Sequence, residues 1–440
     1  MPGISTIQPA AIPANSAEMR SELETFLHEL QPATEDLLEK LLQIPSTSGD
    51  ERDLAAFIAR WAGQNGFETD LFESSETQIQ GYRQAALRHI PLAGRPTLVI
   101  KFRGCGVGRS LMFNAHSDVI APGDPQRWVH GPWSGKISDG RIYGRGACDV
   151  KGSLASALAA LAALKRAYPR GLPGDVMVEI VPGEEDCVGL GTLTSYVRGY
   201  HPDGLIVLEP TEGQPRNASR GGVRFAIRVR GKAVHGTVKW LGHDAIIALR
   251  AVLEHLELME AEFAVPESNP LFAAYPVMRP ITVDRVDGGN WQGATCDLAA
   301  CAGYLELLPA DDLAVWKTRF EHRLRELRKK GKGRGCTLEI EFSEEYGGHE
   351  LSAQHPLAQS AMAAMTGIGL TTRGMSWSGF NAGCEAGLRW GMDQTPTLVW
   401  GPGSLAQAHG VDEFVELKAV HEAALSFALC AIHWTTLPVK

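Results

Sequence analysis

The stretch DVMVEIVPGEEDCVGLGT, residues 175–192, sets an apolar run of strand type against a Pro-Gly turn and three consecutive acids, Glu184, Glu185 and Asp186. Unpaired carboxylates at the end of a buried strand are costly to desolvate, so this cluster needs a partner. The pattern recurs along the chain. SLMFNAHSD (110–118) runs from an apolar strand into His116 and Asp118. GLIVLEPT (204–211) ends on Glu209, and TPTLVWGPGSLAQAHG (395–410) leads to His409. Between such strands lie helical stretches, of which GSLASALAALAALKRAY (152–168) is the most regular. Strands alternating with helices imply a mostly parallel, helix-covered sheet in an α/β protein.

Working outward, SELETFLHELQPATEDLLEKLLQIPS (21–46) and ERDLAAFIARWAGQNG (51–66) read as amphipathic helices before the first strand, PTLVIKF (96–102). The glycine-rich GCGVG (104–108) between PTLVIKF and SLMFNA reads as a hairpin turn rather than a phosphate loop. After residue 214 the texture changes. VRFAIRVRG alternates like a strand with one wet face. A long helix, two strands, a second helix and the strand CTLEIEF follow. This βαββαβ order predicts an inserted ferredoxin-like domain over 215–345. The first domain is then discontinuous, 18–214 and 346–440, with 1–17 expected to be disordered.

The 440 residues exceed what one hydrophobic core usually serves. A net charge of −9 disfavours nucleic acid and anionic membrane as partners. The eight cysteines form no CxxC pair, which fits reduced thiols rather than disulfides or a thiolate metal site. The first 20 residues lack the basic start and apolar core of a signal peptide, and the alanine-rich helix reads as too short to cross a membrane, so a cytoplasmic location is expected.

In open parallel sheets, function gathers at the carboxyl ends of the strands. His116, Asp118, Asp149 in GRGACDVKG, the acid cluster, Glu209 and His409 all fall there. Nitrogen and carboxylate donors without thiolate suit catalytic zinc, or cobalt or manganese. Cys148 and Cys187, beside these residues, read as packing rather than nucleophiles.

The pieces HSD, GRGACDVKG, EED before CVGLGT, LEPTE, GKAVHG and GPGSLAQAHGVDE stand in order from about residue 110 to 415. Together they resemble the dinuclear-zinc amidohydrolases that include acetylornithine deacetylase, succinyl-diaminopimelate desuccinylase, aminoacylase and glutamate carboxypeptidase. The resemblance implies a zinc-exopeptidase-like catalytic domain with a lid and dimerisation domain inserted. It implies two divalent cations, Zn2+ first and Co2+ or Mn2+ as alternatives. His116 and Glu209 would hold one, His409 and one acid of the cluster the other, and Asp149 would bridge. Asp118 would accept the second imidazole N–H of His116. Counting back from GLGT makes Asp186 the ligand and Glu185 the general base, the favoured register. Counting forward from the strand makes Glu185 the ligand and Glu184 the base. His235 in GKAVHG would reach a partner subunit's site as an oxyanion stabiliser, which implies a homodimer.

The resemblance also has gaps. Relatives that act on free α-carboxylates carry an Asn and an Arg in the inserted domain. Here Asn290 is displaced and Glu306 stands near the arginine's place. Arg220 is the candidate replacement, because a guanidinium binds carboxylate bidentately, with Arg224 and Arg285 as alternatives. Phe380 replaces a threonine and is expected to shape an acyl pocket, with Trp291 and Trp377 as further aromatic walls. The expected activity is hydrolysis of an amide in an N-acyl amino acid or related N-acyl amine. A carboxypeptidase or dipeptidase is the alternative, and a non-catalytic binding protein the remote one.

Overall fold

The computed structural model describes residues 17–73, 75–82, 91–187, 189–263, 269–289, 291–329, 335–369 and 376–439. Strands are numbered along the chain. β1 (Glu68–Glu73), β2 (Pro96–Phe102), β3 (Leu111–His116), β6 (Val176–Val181), β7 (Gly204–Val207) and β15 (Thr397–Val399) form one sheet in the order β1-β2-β6-β3-β7-β15. β3 pairs in parallel with β6 and β7, and β7 with β15. Only β2 runs against the rest, antiparallel to both neighbours. Strands β3, β6 and β7 are buried at every position, which is why they read as continuous apolar runs.

Three helices, Ala17–Gln43, Gly152–Ala167 and Leu417–Thr435, cover one face and share its largest core. The middle helix is buried at twelve positions, most of them Ala or small residues. Small side chains let its neighbours approach closely on both sides. Taken from Ala147 it spans 21 residues and is long and apolar enough to cross a membrane, unlike its reading from sequence, yet 94% of its apolar 18-residue window is buried inside the fold.

The loop GCGVG is not a hairpin turn, because β6 lies between β2 and β3. It instead packs on the segment before β6. Cys105 N–H donates to Leu172 O at 2.7 Å, and the N–H groups of Gly106, Val107 and Gly108 all turn to Pro173 O. The expected disorder of 1–17 lies outside the described residues, except Ala17, which opens the first helix.

A second sheet contains β9 (Gly221–Arg230), β10 (Ile281–Gly288), β11 (Leu298–Leu307) and β12 (Thr337–Tyr346), ordered β10-β11-β9-β12 and antiparallel throughout. With helices Ala245–Phe263 and Leu313–Lys329 between strands, this is the expected ferredoxin-like βαββαβ unit. Its core, from Val223, Phe225, Phe263 and Phe320 among others, is separate from the first. The opposite face carries diagonal ion pairs between strands, such as Arg230–Glu339 and Arg224–Asp284.

Candidate metal centre

His116 is the last residue of β3. The acid cluster begins three residues past β6, and Glu209 two residues past β7. Parallel alignment of these strands therefore gathers their ends at one rim of the sheet. Asp149 arrives from the turn before helix Gly152–Ala167, and His409 from the loop after β15.

Asp149 lies between the two histidines. Its Oδ1 is 2.9 Å from His116 Nε2, and its Oδ2 is 3.5 Å from His409 Nε2. His409 Nε2 also lies 3.2 and 3.1 Å from the two oxygens of Glu185. Donor atoms of His116, Asp149 and Glu185 all stand within 4.8 Å of one another. His116, Asp149 and Glu209 are buried, while the His409 ring is 52% exposed at the mouth.

The electrostatics are those of a cluster with too many carboxylates. Burial, then the charge of Glu209, holds the Glu184 carboxyl well above its usual range. Burial and Asp149 do the same to Glu209. Burial raises Glu185 too, partly offset by His409. Burial opposes charge on His116, but Asp149, Glu184 and Glu209 outweigh it and hold its pKa up. Hydrogen bonds to Asp149 and Glu185 push His409 to about 10. Burial opposes ionisation of Asp149, yet the two imidazoles keep its pKa low. Four carboxylates and two imidazoles gathered at one rim are a donor set that divalent cations fit.

Asp118 differs from its expected role. The Nδ1–H of His116 donates to the backbone carbonyl of Asp118 at 2.8 Å, and the carboxylate is 3.9 Å from that nitrogen. The tautomer is thus set by a carbonyl, leaving Nε2 to face Asp149. The Asp118 carboxylate instead accepts the N–H groups of Gly183, Glu184 and Glu185 and the hydroxyl of Ser48. It caps the turn that carries the acids.

Two residues escaped the sequence reading. Glu413, buried at 1% exposure, accepts the N–H groups of Gly146, Cys148 and Asp149 and pairs with Arg145. It fixes the Asp149 turn from behind. Glu385 accepts Gly189 N–H just after the acid cluster, and burial pushes its carboxyl to about 8. The one available signal was an acid four residues past His409, within HGVDE.

The expected substrate residues fare differently. Arg220 is fully buried, and its guanidinium is taken up by Asn381 Oδ1 (3.0 and 2.7 Å) and the carbonyls of Met278 and Val277. It holds the fold rather than a free carboxylate. Arg224 is bidentate to Asp284, and Arg285 pairs with Asp287. Phe380 is also buried, packed in an apolar cluster with residues such as Met112, Leu205 and Val399, so it does not line an acyl pocket. Trp377 leans on the main core, and Trp291 is 81% exposed. Asn290 and the side chain of Asp186 lie outside the described residues. His235 is exposed, with Nδ1 2.8 Å from Thr237 Oγ1, at the far end of β9. Cys148 is buried and its thiol pKa is raised by burial, which suits packing.

Residues 112–433 match the profile of Peptidase family M20/M25/M40. The chain belongs to this family. It is 25% identical to the acetylornithine deacetylase of Proteus mirabilis (strain HI4320) over 414 residues, 91% of this chain and 95% of that protein. It is also 25% identical to the N-formyl-4-amino-5-aminomethyl-2-methylpyrimidine deformylase of Bacillus subtilis (strain 168), covering 91% and 96%. Among solved structures, the dipeptidase Dug1p from Saccharomyces cerevisiae superposes with a TM-score of 0.77 at 15% identity, covering 96% and 100% of the two chains. As an M20 protein the chain is a metal-dependent hydrolase of amide bonds, and the rim of the parallel sheet carries a group of residues that could hold a metal.

Proposed function

We propose that this M20 hydrolase is a deacylase that splits the amide between a small acyl group and an amine. The observation that carries the reading is Asp149 standing between two imidazole nitrogens, with Glu185 on His409. His116 and Glu209 would hold one divalent cation and His409 and Glu185 a second, with Asp149 shared. Zinc is the first candidate. When bound, such a pair supplies an acidified water and polarises the scissile carbonyl.

The chain's own residues do the rest. This geometry favours the forward register, with Glu185 as ligand and Glu184 as general base, over the expected Glu185 and Asp186. Glu185 is committed to His409, whereas Glu184 carries a carboxyl raised by burial and by Glu209. A base with a raised pKa can take the proton of the attacking water and return it to the departing nitrogen. Water oxygen then bonds to the carbonyl carbon, the C–N bond breaks, and the amine leaves protonated. Asp118 holds the amides of both acids, so the pair is aimed together.

The relatives support deacylation over peptidase action: both named enzymes release a small acyl group from an amine. The dipeptidase likeness concerns the fold alone. Dimerisation belongs to the same reading. Trp240, Leu241, Ile246, Val286, Trp291 and Leu298 are exposed on the inserted unit that also carries His235. An apolar patch of that kind suits a second copy of the chain.

The test is metal content and turnover of formamides and acetamides. Glu184→Gln should keep both metals and lose turnover by about 1,000-fold or more. Glu185→Gln should lose metal. Full metal with lost turnover in Glu185→Gln would restore the Asp186 register. Cleavage of unblocked dipeptides in preference to N-acyl amines would replace the deacylase with the dipeptidase.

A further inference from the structure

We propose that Glu306, bridged by Tyr346, is a specificity-determining residue that receives a hydrogen-bond-donating nitrogen group on the amine side of the substrate. The proposal rests on the deacylase reading and names what that reading leaves open.

Glu306 lies on β11 between Leu305 and Leu307, both in the core of the inserted sheet, so its side chain stands on the opposite, helix-free face. Directly across the sheet is Gly222, and beyond it Tyr346 on β12. The missing side chain at Gly222 leaves a gap that the tyrosine crosses. A Cβ there would stand 2.5 Å from the Tyr346 hydroxyl. That hydroxyl donates to Glu306 Oε1 at 2.7 Å. The second oxygen, Oε2, is buried and has no hydrogen-bond partner among the described residues.

Tyr346 reaches from this pair toward the acids of the candidate metal site. The Tyr346 ring presses on Gly383, where a Cβ would come within 2.2 Å of it. The next residue, Cys384, lies in the field of Glu209 and Glu184, and Tyr346 itself feels Glu184. The buried Arg220 guanidinium attracts the Glu306 carboxyl, but no cation gives it a hydrogen bond among the described residues. Arg220 is spent on Asn381 and two carbonyls, and Arg224 on Asp284.

An acceptor oxygen held buried and unpaired costs free energy, which a donor on a ligand recovers. A carboxylate on the substrate would meet a like charge there instead. Burial pushes Glu306 to about 7, and a cationic or amidine-like nitrogen beside it would draw the carboxyl into its ionised form. The group selected is therefore an amine, an amidine or an amino-substituted heteroaromatic ring, not an α-carboxylate.

Three formamides separate the possibilities with metal-loaded enzyme: N-formyl-5-aminomethyl-4-aminopyrimidine, N-formylbenzylamine and N-formylphenylglycine. The aminopyrimidine should have the highest kcat/KM. Glu306→Gln should lower it about 10-fold or more through KM, and change the benzylamine compound less than about 3-fold. It should improve the phenylglycine compound. Tyr346→Phe, which frees Oε1 without removing the carboxyl, should retain the aminopyrimidine preference. Preference of the wild type for phenylglycine overturns the proposal, as does an equal effect of Glu306→Gln on all three. Calorimetric binding of the three product amines to wild type and Glu306→Gln makes the same comparison without turnover. An enzyme that splits none of the formamides counts against the deacylase reading, while the amine affinities still decide the role of Glu306.

Discussion

Asp118 shows how a residue can be recognised while its work is misjudged. The HSD triplet marks it in the sequence, yet its carboxylate grips the backbone of the acid turn, not the imidazole two residues away. Asp118→Asn would point a donor amide at backbone donors. Turnover should fall about 10- to 100-fold with little change in the fold, read as kcat beside metal content. Unchanged kcat would mean that the turn holds its shape without the cap. Arg220 and Phe380 teach the converse. Both residue types suit substrate recognition, and both are consumed by packing. Nothing local in the sequence distinguishes a guanidinium facing a ligand from one facing two carbonyls and an asparagine.

At the scale of elements, the helix Gly152–Ala167 joins the site to the core. Its preceding turn presents Asp149, and its body is wedged between helices Ala17–Gln43 and Leu417–Thr435. Leu158 is fully buried there. Leu158→Ala should cost about 2–5 kcal/mol, seen as a lower urea midpoint at an unchanged slope. Helix Glu385–Asp393 makes an equally tight approach to the return link of the inserted sheet. A Cβ at Gly387 would lie 1.7 Å from the Gly347 carbonyl oxygen. Gly387→Ala should therefore lower the thermal midpoint and weaken substrate binding, since that link also carries Tyr346. A wild-type midpoint would show that the link yields. The elements themselves were legible because periodicity is local. The neighbours of a strand are not, and the loop GCGVG was read as a hairpin because its sequence contains nothing of β6, which arrives over sixty residues later.

For the whole molecule, metal and stability are one problem. In the metal-free protein, Glu385 is held up at about 8 and Glu306 at about 7, against 4.5 for an ordinary glutamate. Raised carboxyl pKa values give stability that is full below the unfolded value and is lost as pH rises through the folded one. His409, raised from 6.5 to about 10, also gives stability that fades with rising pH. All three terms have one sign, so the metal-free protein should lose stability from about pH 5 to about pH 10. Divalent cations bind deprotonated ligands more tightly as pH rises. The gap in thermal midpoint between metal-loaded and chelator-treated protein should therefore widen over that range. A constant gap would mean that these carboxyl groups are compensated without metal.

The sequence by itself determined the α/β class, the inserted βαββαβ unit and the His and acid residues at the strand ends, because apolar periodicity and short glycine-flanked motifs are properties of neighbouring residues. Only the tertiary structure decided that Glu185 meets His409, that Asp118 and Glu413 hold the two acid-bearing turns, and that Glu306 keeps one oxygen unpaired. Each of those depends on groups far apart in the chain being brought within hydrogen-bond reach, and on burial, which sets whether a charge is satisfied at home or left for a ligand.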